Sequence, residues 1–279
     1  MPNRAEPYCR AFMNYSVAGG GEPATVPVEV VIHDGRIDAA SRPFEDCGFE
    51  LREHSLPSDP GWSAGEFGDR HGPALAELAQ AVSGCDRTVV YPAIVRSPRT
   101  AAEVGDYAPI TFVHSDFTDD YRPMLESPDR PYGAYVGPLL AAAGLTREHV
   151  VRADRVMMLQ FWRNLGAALP DYPLAFCDAR TVDRAELLPF VVPEYGGARL
   201  DFETFGVRAP QDPSTHDWYT FPRLGADEVV MFRTYDSRCV AEERSFWTPH
   251  SAFRDPHAGP AAAPRASVEI RVLCVFGGR

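Results

Sequence analysis

The chain has 279 residues, of which 45% are hydrophobic and 11% aromatic, a composition typical of a globular protein. Its formal net charge of −12 argues against a nucleic-acid partner or an anionic membrane surface, because both would need a basic face. All 27 basic residues are arginine. This excludes a lysine Schiff base and a P-loop lysine, and it leaves the binding of carboxylates to arginine.

The six cysteines are scattered over the sequence, and no C-x-x-C pair occurs. Together with the lack of an apolar leader, this favours a reduced, cytoplasmic location. No run approaches the ~18 apolar residues of a membrane span. No shift in composition marks a domain boundary, so we expect one domain over residues 1–279. Residues 1–108 would form an N-terminal extension packed on a core at 109–279.

The first third contains four predicted elements. Strands are predicted over 12–17 and 26–32, with a flexible break at the glycine run 19–21 between them. Turn-forming residues over 41–70 indicate an irregular surface segment. A helix is predicted over 72–83, because its apolar residues form one stripe and Gly84 can end it. A strand follows over 87–95.

The middle and the end of the chain are predicted to be mainly strands. Residues 111–117 are predicted to form a short apolar strand, and 117–132 are expected to be a mobile loop that could act as a lid. A helix is predicted over 132–145, and Thr146 can start another. Several antiparallel strands with long connections then indicate a sandwich or jelly roll. These strands are predicted over 156–162, 174–177, 218–221, 229–235 and 268–276.

The strand at 111–117 ends in a His-x-Asp pair, His114 and Asp116. Residues two apart on a strand point to the same side, so the imidazole and the carboxylate can bind one metal ion. With His250 as a third ligand they would form the two-His-one-carboxylate arrangement of non-haem Fe(II) sites. The pair alone is weak, because chance predicts about one His-x-acid pair in this composition. His216 is a rival third ligand, and the turn-forming residues before it rank it below His250.

Arg265 and Ser267 open the last predicted strand, fifteen residues after His250. They are two apart, so they face the same side of that strand. The arginine can bind a carboxylate through two hydrogen bonds, and the serine hydroxyl can add a third. A surface arginine at the start of an edge strand is the alternative interpretation.

These motifs occur in the order found in the Fe(II)/2-oxoglutarate oxygenases, which the chain resembles. The resemblance is to the group that contains the cephamycin methoxylation hydroxylase and the fungal gibberellin desaturase, and it extends from about residue 87 to the end. The chain departs from the group at Asn164, where proline is usual, and at Ala266, where an acidic residue is usual. The matching phrases are residues 113–116, 161–163, 173–178, 216–219, 227–232, 235–237, 249–253 and 264–271.

The resemblance implies a mostly β fold, a double-stranded β-helix of the cupin-like jelly-roll type, with an N-terminal α/β extension and flanking helices. It implies Fe2+, 2-oxoglutarate and O2 as cofactors and cosubstrate, with the far carboxylate of the keto acid on Arg265 and Ser267. It also implies hydroxylation or desaturation of a small specialised metabolite in the cytoplasm, as in antibiotic biosynthesis. The sequence does not fix the oligomeric state, although a homodimer is suspected.

Several further residues are candidates for the same site. Arg163 lies on an apolar strand, where it would bind a carboxylate of the cofactor or substrate, or pair with a buried acid such as Asp178. Gln160 shares a strand face with Trp162 and could flank the cofactor. The aromatic residues expected to line the substrate pocket are Phe117, Trp162, Trp218 and Tyr219, although aromatic residues on strands more often belong to the core.

Two other classes of function remain open from the sequence. One is a cupin-type metalloenzyme that needs no keto acid, for which Arg265 would be dispensable. The other is a jelly roll that binds a small molecule without catalysis, for which ligand binding would survive removal of the metal. The joint presence of three metal ligands and the Arg-x-Ser pair favours the oxygenase.

Overall fold

Residues 6–17, 24–37 and 39–277 are described by the computed structural model, and most of their regular structure is strand. The glycine run 19–21, predicted as a break, lies outside the described residues. In chain order the strands are β1 (Cys9–Ser16), β2 (Thr25–Asp34), β3 (Phe49–Glu53), β4 (Arg87–Val90), β5 (Ile94–Arg96), β6 (His114–Ser115), β7 (Ala153–Asn164), β8 (Leu174–Cys177), β9 (Leu187–Tyr195), β10 (Ala198–Val207), β11 (Trp218–Thr220), β12 (Glu228–Asp236), β13 (His250–Ala252) and β14 (Ser267–Gly277).

The strands form two sheets that enclose the main core. One sheet has the order β1-β2-β11-β8-β13-β6-β10-β9, and the other has the order β3-β12-β7-β14-β4, with β5 also paired to β14. The main hydrophobic cluster takes residues from both sheets, including Val30 and Val207 from the first and Met158 and Leu273 from the second. The predicted mostly β jelly roll is therefore confirmed.

Alternation along β14 explains how the second sheet is covered on both faces. Val268, Ile270 and Val272 point outward and pack with Leu75 and Ala79 of a long helix. The intervening residues point toward the first sheet, where the strand presents polar side chains near its start and apolar ones near its end. The outer face of this sheet is thus sealed by a helix, and the inner face is available for a site.

Seven helices lie between the strands in the described part of the chain. They are α1 (Phe44–Cys47), α2 (Ala64–Ser83), α3 (Pro98–Glu103), α4 (Tyr121–Glu126), α5 (Pro131–Ala142), α6 (Arg147–Val151) and α7 (Ser237–Ala241). The helix predicted over 72–83 begins eight residues earlier, because Ser63 and Glu66 form a capping box at its start. The segment 117–132, expected to be a loop, contains α4 and the beginning of α5. Among the described residues, no helix is long and apolar enough to cross a membrane.

Strands of the first third join both sheets rather than forming a separate layer. β2 pairs in parallel with β11, β3 pairs with β12, and β4 and β5 pair with β14. The boundary expected at residue 108 stays a prediction. The hairpin of β9 and β10 was not predicted as strands. Gly196 and Gly197 form its turn with positive φ angles of 61° and 78°, which glycine tolerates.

Candidate active site

The three predicted metal ligands meet on the inner face of the first sheet. β13 pairs with β6 through His250 and His114, which lie directly opposite each other. Asp116 follows the end of β6, and its Oδ1 lies 3.8 Å from Nε2 of His114 and 3.7 Å from Nε2 of His250. All three ligand atoms lie within 4.8 Å of one another. This is a spacing at which the three side chains can bind a single ion.

Backbone carbonyls fix the orientation of both imidazoles. Nδ1 of His114 lies 2.9 Å from the carbonyl oxygen of Phe112, and Nδ1 of His250 lies 2.9 Å from that of Thr248. A carbonyl can only accept a hydrogen bond, so each Nδ1 carries a proton and Nε2 is the atom left to bind a metal. Both Nε2 atoms face Asp116, as a metal site requires.

The ionisation of the ligands also suits a divalent cation. Burial and the neighbouring His250 lower the pKa of His114 to about 3, so its imidazole is neutral at pH 7. Burial alone would raise the pKa of Asp116, but the Arg271 guanidinium and the two imidazoles outweigh it and hold the pKa at about 2. Metal ligands must be deprotonated to bind, and these two side chains already are.

The ligands line a cavity of about 510 Å³ between the two sheets. One wall, from the second sheet, is polar and charged, and the other walls are mainly apolar and aromatic. A volume of this size suits a small organic ligand. The lining residues are Tyr91, Pro92, Ala93, Ile94, Arg96, Asp106, Tyr107, Ile110, Phe112, His114, Asp116, Phe117, Tyr132, Tyr135, Gln160, Leu174, Val192, Tyr195, Gly196, Ala198, Leu200, Phe202, Thr204, His250, Arg265, Glu269 and Arg271.

Arg265 and Gln160 line the cavity, whereas Ser267 is outside its lining. Nε of Arg265, Oγ of Ser267 and Oε1 of Gln160 are buried and find no hydrogen-bond partner in the described part of the protein. Burial, and then the nearby Arg96, lower the pKa of Arg265 to about 9. Buried polar groups are normally paired. A carboxylate would satisfy the Arg265 guanidinium and the Ser267 hydroxyl, which are donors, whereas Oε1 of Gln160 is an acceptor and would need a donor instead.

Arg163 lies outside this cavity. It is three residues from Gln160 on β7 and therefore faces the opposite side of the sheet. Its guanidinium donates to the carbonyl oxygens of His54 at 2.7 Å and of Glu228 at 3.3 Å. The alternative partner, Asp178, pairs instead with Arg180. The position of Arg163 thus supports neither of the two roles considered for it.

The four aromatic residues expected in the pocket divide between the cavity and the core. Phe117 lines the cavity. Trp162 packs in a neighbouring core cluster. Trp218 is fully buried and donates from Nε1 to the hydroxyl of Tyr15 at 2.9 Å, and Tyr219 packs among core rings outside the cavity lining. Three of these four aromatic residues therefore pack in the core, where their large apolar surface is buried.

His216 is held away from the metal ligands by two hydrogen-bond partners. Its Nδ1 lies 3.0 Å from the hydroxyl of Tyr15, and its Nε2 lies 3.0 Å from a carboxylate oxygen of Glu186. It therefore lies in a buried polar cluster of its own, and His250 is the histidine that meets His114 and Asp116.

Four charged residues of the cavity were missed by sequence analysis, namely Arg96, Asp106, Glu269 and Arg271. Arg96 donates to Glu269 at 3.0 Å, and Arg271 donates to Asp116 at 3.0 Å. A signal for two of them was present in the sequence. Polar residues recur at every second position from Arg265 to Arg271, which is the period of one strand face.

A jelly roll in which two histidines and one carboxylate converge on a cavity defines the class of non-haem metal oxygenases. Comparison with known proteins gives the family. The family model described as "Oxidoreductase/YMDC permease-like domain" matches residues 3–275. The chain belongs to this family and is an Fe(II)/2-oxoglutarate-dependent dioxygenase, which confirms the class expected from the sequence.

Individual relatives agree with this assignment. The chain is 29% identical over 270 residues to the Fe(II)/2-oxoglutarate-dependent dioxygenase nvfI of Aspergillus novofumigatus, covering 91% of this chain and 84% of the relative. It is 30% identical over 135 residues to the hydroxylase/desaturase CTB9 of Cercospora beticola, covering 46% of this chain and 40% of the relative. The solved structure of the iron and alpha-ketoglutarate-dependent endoperoxidase NvfI has the same fold, with a TM-score of 0.72, 24% identity, and coverage of 99% of this chain and 100% of that one.

Proposed function

We propose that this dioxygenase binds Fe2+ through His114, Asp116 and His250 and hydroxylates or desaturates a small specialised metabolite. The observation that carries the proposal is the convergence of the three ligand atoms within 4.8 Å. The side chains meet although His250 is 136 positions from His114 in the sequence, and both imidazoles are already held in the ligand tautomer.

We assign the binding of 2-oxoglutarate to Arg265, Ser267 and Gln160. A carboxylate beside Arg265 would offset the burial of that cation and accept a hydrogen bond from the Ser267 hydroxyl. Gln160 also lines the cavity, and its side-chain NH2 group can donate to a further oxygen of the same ligand. These contacts fix the orientation of the keto acid relative to the three metal ligands.

The cavity wall opposite the polar groups would hold the substrate. Phe117 and Phe202 contribute rings at 6.0 Å centroid distance, and Leu200 adds aliphatic surface. Such a wall excludes water and binds an apolar body, while tyrosine hydroxyls nearby can orient polar substituents. When bound, iron and the keto acid would serve to activate O2. The keto acid would give up two electrons in becoming succinate and CO2, and O2 would be the oxidant that removes substrate hydrogen.

The test is an anaerobic titration of the apoprotein with Fe(II) and 2-oxoglutarate, followed by visible absorption. We expect a weak charge-transfer band that requires both additions and is lost in Arg265→Met. No band despite bound iron would favour the metalloenzyme that needs no keto acid. Absence of iron binding would refute the proposal, and a small molecule bound equally well after chelation would indicate a non-catalytic binding protein.

The histidine variant tests the ligand assignment separately. His250→Ala should lose iron binding and substrate-dependent succinate formation, because only two of the three proposed ligands are left to bind the ion. His216→Ala is the matched control, since that histidine is bonded to Tyr15 and Glu186. Retained turnover in His250→Ala would remove His250 from the ligand set.

The mass of the product of the wild-type enzyme distinguishes hydroxylation, a gain of one oxygen, from desaturation, a loss of two hydrogens.

The finer statements about location and partners are also proposals. All six cysteines are buried and unpaired, which supports a cytoplasmic location. We propose no nucleic-acid or membrane partner, on the strength of the acidic net charge. The suspected homodimer rests on how common dimers are among soluble proteins, and light scattering of the purified protein measures it directly.

A further inference from the structure

Arg271 reaches across the cavity from the second sheet to a ligand of the first. It is the fifth residue of β14, and its Nη2 and Nε donate to Oδ2 of Asp116 at 3.0 Å and 3.3 Å. Both hydrogen bonds go to the same carboxylate oxygen. The other oxygen, Oδ1, is the atom that faces His114 and His250. The two oxygens of Asp116 therefore have separate partners.

Arg271 is itself oriented by a buried chain of charges. Its guanidinium lies 3.9 Å from Oε1 of Glu269, and the same oxygen accepts a hydrogen bond from Arg96 at 3.0 Å. Arg96 also donates to the carbonyl oxygens of Asp106 and Ala108. Glu269 and Arg96 are buried. This series of charged side chains runs from β5 through β14 to the residue after β6, so it connects the two sheets at the metal ligands.

Simple neutralisation of a buried carboxylate does not require this geometry. A guanidinium that only balanced the charge of Asp116 could bond both oxygens at once, which is the common bidentate arrangement. Here two donors hold one oxygen and leave the other directed at the imidazoles. The arrangement fixes the rotation of the carboxylate about the Cβ–Cγ bond of Asp116.

We propose that Arg271 is a positioning residue for the metal site. It holds Oδ2 of Asp116, so that the carboxylate offers one oxygen to the metal and the positions needed by other ligands stay open. Glu269 and Arg96 act through Arg271, since neither contacts Asp116 through a hydrogen bond in the described structure. The inference rests on the proposed function, because it assumes that the three ligands bind a divalent ion.

The experiment titrates the apoprotein with Co(II), whose visible spectrum reports coordination number and geometry. Wild type is compared with Arg271→Met, Arg271→Lys and the control Arg233→Lys. Arg233 is a buried arginine of β12 that donates to the carbonyl oxygens of Glu45 and Ser245, away from the cavity lining. Thermal unfolding of each variant measures whether it is folded.

We expect Arg271→Met to change the position and intensity of the Co(II) bands and to weaken Co(II) binding roughly 10-fold, as is typical for loss of a group that orients a ligand. Arg271→Lys should lie between Arg271→Met and wild type, because an ammonium can donate to Oδ2 without the planar fork. Arg233→Lys should be less stable than wild type, with an unchanged spectrum.

A spectrum of Arg271→Met that superimposes on that of wild type overturns the inference, whatever the affinity. If Arg271→Met does not fold, the spectrum of Arg271→Lys decides by the same criterion. A spectral change of the same size in Arg233→Lys would also overturn it, because the effect would then be general to buried arginines. Failure of the wild-type protein to bind Co(II) would instead refute the proposed metal site itself.

Discussion

Replacing Arg265 by methionine should weaken the binding of 2-oxoglutarate without lowering the stability of the apoprotein. The side chain is 3% exposed, its Nε has no partner in the described structure, and its Nη1 donates one hydrogen bond, to the carbonyl oxygen of Tyr172 at 3.2 Å. Arg265→Met removes that bond, worth about 1 kcal/mol. It also removes a cation whose pKa is lowered to about 9 by burial and then by Arg96, and which therefore opposes folding by an amount on the order of a few kcal/mol.

The apoprotein of Arg265→Met should consequently be as stable as wild type or more stable by roughly 1–3 kcal/mol. Its affinity for 2-oxoglutarate should fall, because two charge-assisted hydrogen bonds at about 1.5–3 kcal/mol each are lost. This corresponds to a weakening of roughly 10²- to 10³-fold or more. Stability is measured by urea unfolding, and affinity by calorimetric titration of the Co(II)-loaded protein with 2-oxoglutarate.

Arg96→Met is the matched control in the same cavity. Arg96 is paired with Glu269 at 3.0 Å and also bonds two backbone carbonyls. Its removal leaves the buried Glu269 carboxylate with only the longer 3.9 Å contact to Arg271 among the described residues and should cost about 3 kcal/mol of stability. Equal losses of stability in Arg96→Met and Arg265→Met, with unchanged 2-oxoglutarate affinity in the latter, would refute the assignment of Arg265 as a carboxylate site.

Two predictions concern the fold around the site. A Cβ on Gly133 would lie 1.9 Å from the carbonyl oxygen of Ser127, so Gly133→Ala should lower the free energy of unfolding by more than ~2 kcal/mol. Gly137→Ala, in the same helix with 3.6 Å of clearance, should raise it by about 0.5–1 kcal/mol; similar urea midpoints for the two variants would contradict this. Asp236 is buried, which alone would raise its pKa, but the ion pair with Arg155 lowers that pKa below 3.8. The contribution of this carboxylate to stability is thus present above pH 3.8 and lost as the pH falls below this value. The difference in unfolding free energy between wild type and Asp236→Asn should therefore narrow in acid. A difference that stays constant with pH would exclude the ion pair as the source of the stabilisation.

Strands with strong apolar or β-branched patterns could be predicted from the sequence. β8 was predicted with its observed bounds, and β14 to within one residue at each end. β9 was missed because Pro189 and Pro193 argue against a strand, although both are acceptable at the edge of a sheet. The early start of α2 was missed because three glycines obscure its pattern, whereas the capping box at Ser63 was a usable signal.

The three proposed metal ligands could be selected from the sequence by the order of the motifs, but the contacts around them depend on which strand face a residue occupies. Gln160 and Arg163 were both considered as cofactor contacts, yet residues three apart on one strand cannot face the same cavity. The same alternation, counted along β14 from Arg265, reaches Arg271. Its partner Asp116 could not have been identified from the sequence, because the contact joins strands of different sheets across 155 positions.

The hairpin of β9 and β10 gives the enzyme a means of changing its substrate without changing its chemistry. Val192, Ala198, Leu200 and Phe202 face the cavity from this hairpin, whereas the proposed iron ligands come from β6, the residue after it, and β13. Among the strands of the described residues, β9 is the last of its sheet and pairs with β10. Mutations in its outer part can therefore accumulate at one border of the molecule, so that selectivity can diverge between related enzymes while the iron ligands are retained.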